Sequence, residues 1–325
     1  MVQTGAPHDR ILYVNGEFVP ASQAKISVFD HVILYGDGVY DTMCCWNHGV
    51  FKLDEHIDRL YESAHAIKLE IPQYKEEMKE IILETVRRNH LRNAYVKVVV
   101  TRGVGAEPLL SPYNCIPGVI VFAVPYMSQA GAAGDVGIKM IVSSMRRIPN
   151  ECISTKIKSC NYLNHVLVRM EANEAGANDG IELDVEGYVC EAPGYNVFVV
   201  KRNVLITPGD NILIGVTRST VIELAESLDL PVAVGRVQVF DLYNADEVFL
   251  SSTAGGIVPV VQLDGRTIGS GKPGPTTRRI HESYHSLLES GEKSWPVCYN
   301  RAITAERSDT PDTNDKAASK DSVNK

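Results

Sequence analysis

The chain has 325 residues, which is too long for one ordinary hydrophobic core, so two lobes are expected. Its 32 Lys and Arg against 40 Asp and Glu give a net charge of −8, which disfavours nucleic-acid and anionic-membrane partners because both attract basic surfaces. No apolar run approaches the roughly 20 residues of a membrane span, and the N-terminus lacks the pattern of a signal peptide. The seven cysteines include no Cys-x-x-Cys pair, so neither a zinc site nor a disulfide framework is indicated, and a cytoplasmic location is expected.

Residues 1–127 are predicted to form a small N-terminal α/β domain. Asn15-Gly16 separates two β-type runs and tolerates the positive φ of a type I′ turn, which predicts a hairpin. Apolar residues at i, i+4, i+7 spacing then predict amphipathic helices. In chain order the predicted elements are the hairpin at 11–19, helices at 53–68 and 76–90, and strands at 95–101 and 119–124. The small, flexible residues 128–135 are predicted to link this domain to the next.

Residues 136–301 alternate strands with helices and are predicted to form a larger, mixed α/β domain. The predicted strands are 138–142, 180–183, 197–200 and 247–250, and the predicted helices are 162–174, 217–228 and 275–288. Residues 302–325 contain almost nothing to bury and are predicted to be a disordered tail. His165 falls inside a predicted helix and is interpreted as a packing or surface residue rather than a catalytic base.

The segment Ile157-Lys158-Ser159-Cys160-Asn161-Tyr162-Leu163 places a lysine at the end of a β-like run, immediately before a helix. A single lysine is usually a solvated surface residue, so this one is informative only in combination with the motifs downstream of it. Thirty-three residues later, Glu191 opens a Gly/Pro turn in Gly187-Tyr188-Val189-Cys190-Glu191-Ala192-Pro193-Gly194-Tyr195-Asn196. Two further segments then open a helix and end a strand: Gly215-Val216-Thr217-Arg218 and Ser251-Ser252-Thr253-Ala254-Gly255-Gly256.

These four segments, in this order, resemble the class IV (fold type IV) pyridoxal-5′-phosphate (PLP) enzymes. That group comprises branched-chain, D-amino-acid and (R)-selective amine aminotransferases and aminodeoxychorismate lyases. The resemblance runs from about Tyr13 to about Leu288. It implies a two-domain α/β enzyme with a barrel-like larger domain, and a homodimer with its active site at the subunit interface. The implied reaction moves an amino group from an amino acid or a hydrophobic primary amine to a 2-oxo acid by a ping-pong mechanism.

The resemblance also assigns the residues that contact the cofactor. Lys158 is expected to bind PLP as a Schiff base and to move the proton between the substrate Cα and C4′, with Lys156 as its competitor. Glu191 is expected to pair with the pyridine nitrogen and keep the ring protonated, and Tyr162 to face the phenolic oxygen. The phosphate is expected to contact Arg59, Ser252, Thr253 and the first turn of the helix that begins near Val216 and Thr217.

The resemblance implies a substrate pocket that involves Tyr35, Tyr40, Tyr95, Lys97, Thr253 and Ala254, with the segment from Tyr35 to Tyr40 forming a strand of the small domain. Branched-chain enzymes typically read Phe-Glu-Gly-x-Arg where this chain reads Tyr40-Asp41-Thr42-Met43-Cys44, so one arginine is absent. Lys97 stands where a second arginine helps to bind the substrate carboxylate, and a lysine keeps the charge but loses the bidentate fork. Tyr40-Asp41 and Thr253-Ala254-Gly255-Gly256 resemble the (R)-amine enzymes instead. The preferred amino donor and its stereochemistry therefore stay open.

Two alternatives use the same motifs. An aminodeoxychorismate lyase would need the same lysine and glutamate and would release pyruvate, so product analysis separates it from a transaminase. A non-catalytic PLP-binding relic is the second alternative, and the presence of Lys158, Glu191 and Arg59 together argues against it.

Overall fold

The computed structural model describes residues 10–107, 109–126 and 136–298. Its strands are β1 (Ile11–Val14), β2 (Glu17–Pro20), β3 (Gly38–Trp46), β4 (Gly49–Phe51), β5 (Ala94–Val104), β6 (Ile116–Pro125), β7 (Ile138–Arg146), β8 (Asp179–Leu183), β9 (Glu191–Ala192), β10 (Tyr195–Lys201), β11 (Val204–Pro208), β12 (Val232–Gly235), β13 (Glu247–Ser252), β14 (Gly256–Leu263), β15 (Arg266–Thr267) and β16 (Ser294–Pro296). Its helices are α1 (His31–Tyr35), α2 (Leu53–Ala66), α3 (Lys75–Arg88), α4 (Leu163–Glu174), α5 (Val216–Ser227), α6 (Val239–Tyr243) and α7 (Pro275–Ser290).

The first sheet has seven strands in the order β16-β4-β3-β5-β6-β1-β2. Asn15 and Gly16 adopt φ values of 49° and 103° between β1 and β2, which confirms the predicted hairpin. Helices α2 and α3 were also predicted correctly, and their apolar faces pack on one face of this sheet. Leu60, Ile82 and Val98 are fully buried in the resulting core.

The second sheet joins nine strands, with the main path β12-β11-β10-β13-β14-β7-β8. It is mixed: β7 runs parallel to both β14 and β8, whereas β10, β13 and β14 are antiparallel neighbours. Phe198 and Phe249 stack at 4.9 Å between ring centroids, beneath helices α5 and α7. The sheets and helices confirm the predicted mixed α/β class.

The last described strand, β16, pairs with β4 of the first sheet although it follows the whole second sheet in sequence. The predicted linker at 128–135 and the predicted tail at 302–325 lie outside the described residues. The domain boundaries at 127 and 136 therefore stay a prediction. Within the described residues, no helix combines the length and the apolar character needed to cross a membrane.

Two local predictions were wrong. The segment from Tyr35 to Tyr40 was expected to be a strand, but residues 31–35 form the short helix α1 and β3 begins only at Gly38. Asp30 caps α1 by accepting a hydrogen bond from the Val32 amide at 2.9 Å, and Gly36 ends it with φ 68°.

Lys158 was expected at the end of a strand with a helix starting at once. It lies instead in an irregular segment, and α4 begins five residues later at Leu163. Its β-type pairing is a single antiparallel bridge between Ser159 and Val39, with backbone hydrogen bonds from the Tyr40 amide to the Lys158 carbonyl and from the Cys160 amide to the Gly38 carbonyl.

Candidate active site

A cavity of about 280 Å³ lies between the two sheets. Alternation along β3 and β5 sends Tyr40, Thr42, Tyr95 and Lys97 to the cavity, while the residues between them face α2 and α3. Arg59 of α2 also borders the cavity, and most of the remaining wall comes from residues later in the chain, chiefly the segment around Lys158, the start of β9, the start of α5 and the end of β13. The lining residues from these places include Lys158, Tyr162, Glu191, Val216, Thr217, Ser252, Thr253 and Ala254.

The backbone of Lys158 is held by two residues of the first sheet and the helix packed on it. Its carbonyl accepts a hydrogen bond from the Tyr40 amide at 2.9 Å, and its amide donates to Oγ of Ser63 at 3.1 Å. The amine Nζ lies 3.5 Å from the Tyr162 hydroxyl and 4.7 Å from the centre of the Tyr40 ring. Lys156 is exposed and lies outside the cavity lining, so of the two candidate lysines only Lys158 reaches the cavity.

Glu191 is buried, with 4% of its surface exposed, rather than in the exposed turn that a glutamate here could have occupied. It forms the short strand β9, whose pairing with Asn196 turns its carboxylate toward the cavity wall. Oε1 accepts a hydrogen bond from Nε of Arg147 at 2.8 Å, and Oε2 accepts one from the Leu213 amide at 3.1 Å. Burial raises the pKa of Glu191, and the charge of Arg147 opposes that rise.

One end of the cavity is suited to an anion. Helix α5 begins there with Gly215 as its N-cap, so no side chain caps the amides of its first turn. Nη1 of Arg59 donates to the carbonyl of Ile214 at 3.1 Å, which places the guanidinium directly beside this helix start. Thr217 is the second residue of α5 and is not its cap, and Thr253 borders the same cavity.

Arg59 was expected to be a phosphate ligand, and its side chain is only 12% exposed, unlike a surface arginine of a helix. Asp41, on the helix-facing side of β3, accepts two hydrogen bonds from Arg59 at 2.8 Å each. Asp41 also accepts one from Nδ1 of His56 at 2.8 Å. In the sequence, Asp41 was considered only because Tyr40-Asp41 resembles the (R)-amine enzymes. Its contact with Arg59 could have been predicted from the strand alternation, which turns this residue toward α2.

Lys97 stands over the face of Tyr40, with Nζ 4.2 Å from the ring centre. Burial lowers the pKa of Lys97, and the nearby Lys158 amine lowers it further. Across the sheet, the Tyr95 hydroxyl lies 3.4 Å from Oγ1 of Thr42. Cys44 is buried and lies outside the cavity lining, so its position offers the substrate no polar contact.

His165 is buried, as the packing interpretation expects, but it also lines the cavity, which that interpretation did not expect. Its ring centre lies 4.6 Å from that of Tyr162, and Nδ1 lies 2.8 Å from Oε2 of the buried Glu182. Arg147 was not predicted as a site residue. The sequence offers one indication of its role, its position directly after the end of β7.

Of the predicted site residues, Tyr35 alone lies away from this cavity. It is 37% exposed at the end of α1, where its ring packs edge-on against His31 at 5.0 Å. Every other predicted cofactor or substrate residue borders the cavity.

Residues 38–263 match the family described as "Amino-transferase class IV", and the chain belongs to this family. It is therefore an aminotransferase, and like other class IV aminotransferases it depends on PLP. A relative from Methanocaldococcus jannaschii, the "Putative branched-chain-amino-acid aminotransferase", is 44% identical over 279 residues, which cover 85% of this chain and 96% of the relative.

Two solved structures are also similar. The Escherichia coli branched-chain amino acid aminotransferase has a TM-score of 0.86 at 35% identity and covers 89% of this chain and 100% of its own. The branched-chain amino acid aminotransferase from Thermobaculum terrenum, in its PLP form, has a TM-score of 0.83 at 27% identity and covers 90% and 100%. Fold type IV is thereby confirmed.

The residues around the cavity fit PLP. The cavity volume lies close to the lower end of the range for small-molecule sites. The guanidinium of Arg59 and the helix amides at one end suit a phosphate. Elsewhere on the wall, the buried Glu191 carboxylate suits a ring nitrogen, and the Lys158 amine suits an aldehyde. Oγ of Ser251, on the same wall, is buried and has no hydrogen-bond partner among the described residues.

Proposed function

We propose that the chain transfers an amino group from a branched-chain amino acid or a hydrophobic primary amine to a 2-oxo acid by a ping-pong mechanism. The observation that carries this proposal is that three features border one cavity: the Lys158 amine, the buried Glu191 carboxylate and the anion-binding end beside Arg59. When bound, PLP supplies an aldehyde that exchanges amino groups and a ring that withdraws electron density from the reacting carbon.

Lys158 would hold the cofactor aldehyde and, when released from it, would carry the proton between the substrate Cα and C4′. Its position between Tyr40 and Tyr162 holds the amine in a partly desolvated place. Tyr162, whose hydroxyl lies 3.5 Å from Nζ, would contact the phenolic oxygen of the cofactor.

Glu191 would contact the ring nitrogen. An ionised carboxylate there would favour a protonated nitrogen by charge attraction, and although burial raises the pKa of Glu191, the charge of Arg147 opposes that rise and favours the ionised form. Arg147 and the Leu213 amide occupy one oxygen each and fix the orientation of the carboxylate.

Arg59 and the first turn of α5 would hold the phosphate, with the amides of Val216 and Thr217 as donors and Ser252 and Thr253 as further contacts. Both the guanidinium and the helix N-terminus favour a dianion, since each presents unpaired N–H donors and positive charge.

The substrate carboxylate is bound by Tyr95, Lys97 and the backbone of Thr253 and Ala254. Tyr126 supports this backbone, because its hydroxyl donates to the Ala254 carbonyl at 3.0 Å. A branched-chain donor fits the names of the relatives, and the aliphatic side chain would lie beside Tyr40.

A hydrophobic primary amine, such as (R)-1-phenylethylamine, is the second candidate donor. Two observations favour it. Lys97 offers a single ammonium where an arginine would offer a fork, and Cys44 lies outside the cavity lining. A pocket that binds carboxylate weakly discriminates less against a donor that has none.

We also propose a homodimer. On α4, Leu163, Val166, Leu167 and Met170 form an exposed apolar stripe at i, i+3, i+4, i+7 spacing. Helix α1 adjoins it, since Nδ2 of Asn161 donates to the Gly36 carbonyl at 3.1 Å. Tyr35 lies on this surface, so a second copy of the chain would place it, and the loop after Gly103, near the other cavity.

The dimer is tested by light scattering of the PLP-loaded protein. The double variant Val166→Asp with Leu167→Asp should give a monomeric mass, whereas Phe240→Asp, on an exposed part of α6, should not change the mass. An active wild-type monomer would contradict the proposal.

The donor is tested by half-transamination of the PLP-loaded protein with L-branched-chain amino acids, D-amino acids and both enantiomers of 1-phenylethylamine. Loss of the long-wavelength absorbance of bound PLP identifies each accepted donor, and recovery with a 2-oxo acid demonstrates the second half of the cycle. Release of pyruvate from aminodeoxychorismate without amino transfer would establish the lyase instead.

The seven cysteines are free thiols, which supports the expected cytoplasmic location.

A further inference from the structure

We propose that Asp41 and His56 are positioning residues that aim Arg59 at the cofactor phosphate. The inference rests on the phosphate role proposed above for Arg59. Asp41 has no exposed surface, and His56 is 1% exposed. Neither lines the cavity, so both would act through the arginine and not by contact with the cofactor.

The Asp41 carboxylate accepts four hydrogen bonds. Oδ2 accepts from Nε of Arg59, and Oδ1 accepts from Nη2 of Arg59, Nδ1 of His56 and the Thr42 amide, all at 2.7 to 2.8 Å. Because both oxygens are engaged and the side chain is fully buried, the orientation of the carboxylate is fixed. Burial raises the pKa of Asp41, but the charge of Arg59 and the hydrogen bonds outweigh it, so the pKa lies well below its ordinary value.

Arg59 has five N–H donors, and three of them are occupied. Two are held by Asp41 and one, on Nη1, is held by the Ile214 carbonyl at 3.1 Å. One N–H on Nη1 and one on Nη2 remain, on a side chain that borders the cavity beside the start of α5. Two parallel donors are what bidentate recognition of a phosphate requires.

His56 fixes the carboxylate from the other side. Burial lowers the pKa of His56, and an ionised carboxylate can only accept, so a neutral His56 must carry its hydrogen on Nδ1. That hydrogen points at Asp41. Nη2 of Arg59 also lies 3.4 Å from Nδ1, but a protonated Nδ1 cannot accept a hydrogen bond, so this approach is only a contact. The arginine therefore depends on Asp41 alone for its bidentate anchor.

The consequence concerns the phosphate and not the ring. With Asp41 made neutral, the guanidinium loses the fork that fixes its plane, and its two free donors no longer point at one place. Loss of a contact that orients a metal ligand typically costs about 10- to 100-fold in affinity, and we expect a loss of similar size for the phosphate here. Pyridoxal, which has the ring and the aldehyde but no phosphate, should lose little.

The test measures dissociation constants of PLP and pyridoxal for the full-length protein freed of cofactor. We expect Asp41→Asn to weaken PLP about 10- to 100-fold while pyridoxal changes little. Asp41→Glu keeps the charge and shifts it by one methylene, so its PLP loss should be smaller than that of Asp41→Asn. Thermal melting of each variant shows whether it is folded. If Asp41→Asn does not fold, His56→Phe, which removes a donor to Oδ1 of Asp41, takes its place, and an unchanged PLP-to-pyridoxal ratio in that variant overturns the proposal.

Two controls separate this inference from the proposed function. Arg59→Ala should lose PLP selectively, and if it does not, the phosphate role of Arg59 is wrong. If Arg59→Ala loses PLP selectively but Asp41→Asn binds PLP normally or more tightly, only the positioning role is wrong. Asp37→Asn removes a similar bidentate pair, with Arg102 at 2.9 and 3.0 Å outside the cavity, and should leave the PLP-to-pyridoxal ratio unchanged.

Discussion

Replacing Arg147 by methionine should destabilise the cofactor-free protein in a pH-dependent way. Nε of Arg147 lies 2.8 Å from Oε1 of Glu191, and the two side chains are 11% and 6% exposed. Removing one partner of a buried ion pair leaves an uncompensated charge and typically costs about 3–5 kcal/mol. The Leu213 amide would still donate to Glu191, so we expect the free energy of unfolding to fall by about 3 kcal/mol at pH 8.

The pH dependence follows from the direction of the Glu191 pKa. A carboxyl whose pKa is raised by folding destabilises the folded state increasingly as pH rises above the unfolded value of about 4.3. Loss of Arg147 raises this pKa further, since the cation opposes the effect of burial. The variant should therefore lose less stability at pH 5, where the buried carboxyl can bind a proton, than at pH 8.

Urea unfolding of the wild type, Arg147→Met, Glu191→Gln and the double variant, at both pH values, measures these effects. The double variant removes both charges, so its stability should lie closer to that of the wild type than the sum of the single losses, with a coupling of about 2–3 kcal/mol at pH 8. Equal losses at the two pH values together with additive single effects would refute the reasoning.

Lys158→Ala should abolish transamination, and borohydride reduction of the wild type followed by peptide mapping should label Lys158; a label on Lys156 would show that the assignment is wrong. Lys97→Arg restores a bidentate donor beside Tyr40, so steady-state kinetics should show a KM for 2-oxoglutarate lowered by about 10-fold, and an unchanged KM would remove Lys97 from the carboxylate site. Burial raises the pKa of Asp179 to about 6. As the pH rises from 4 to 6, this residue should therefore lower the free energy of unfolding by about 2–3 kcal/mol. Asp179→Asn should remove that part of the fall in urea unfolding, and an identical pH profile would contradict the assignment.

The sequence predicted most of the local structure because its signals are local. The Asn15-Gly16 turn and the apolar spacing in α2 and α3 depend only on neighbouring residues, and these elements were found where predicted. The segments around Lys158 and Glu191 identified the family, because their residue types and separation are fixed by one cofactor. Local signals failed between Tyr35 and Tyr40, where a cap and a left-handed glycine insert a short helix before β3.

Only the tertiary structure decided which charges meet. Asp41 and Arg59 are 18 residues apart and Arg147 and Glu191 are 44 apart, so no periodicity within one element pairs them. Their pairing requires β3 to lie against α2 and the end of β7 to lie beside β9, and burial then excludes the water that would otherwise solvate each charge. By itself the sequence determined the elements and the cofactor chemistry, because both depend on residue type and spacing. Sheet packing determined the partners that orient the site, because an ion pair needs two groups within a few ångströms whatever their distance along the chain.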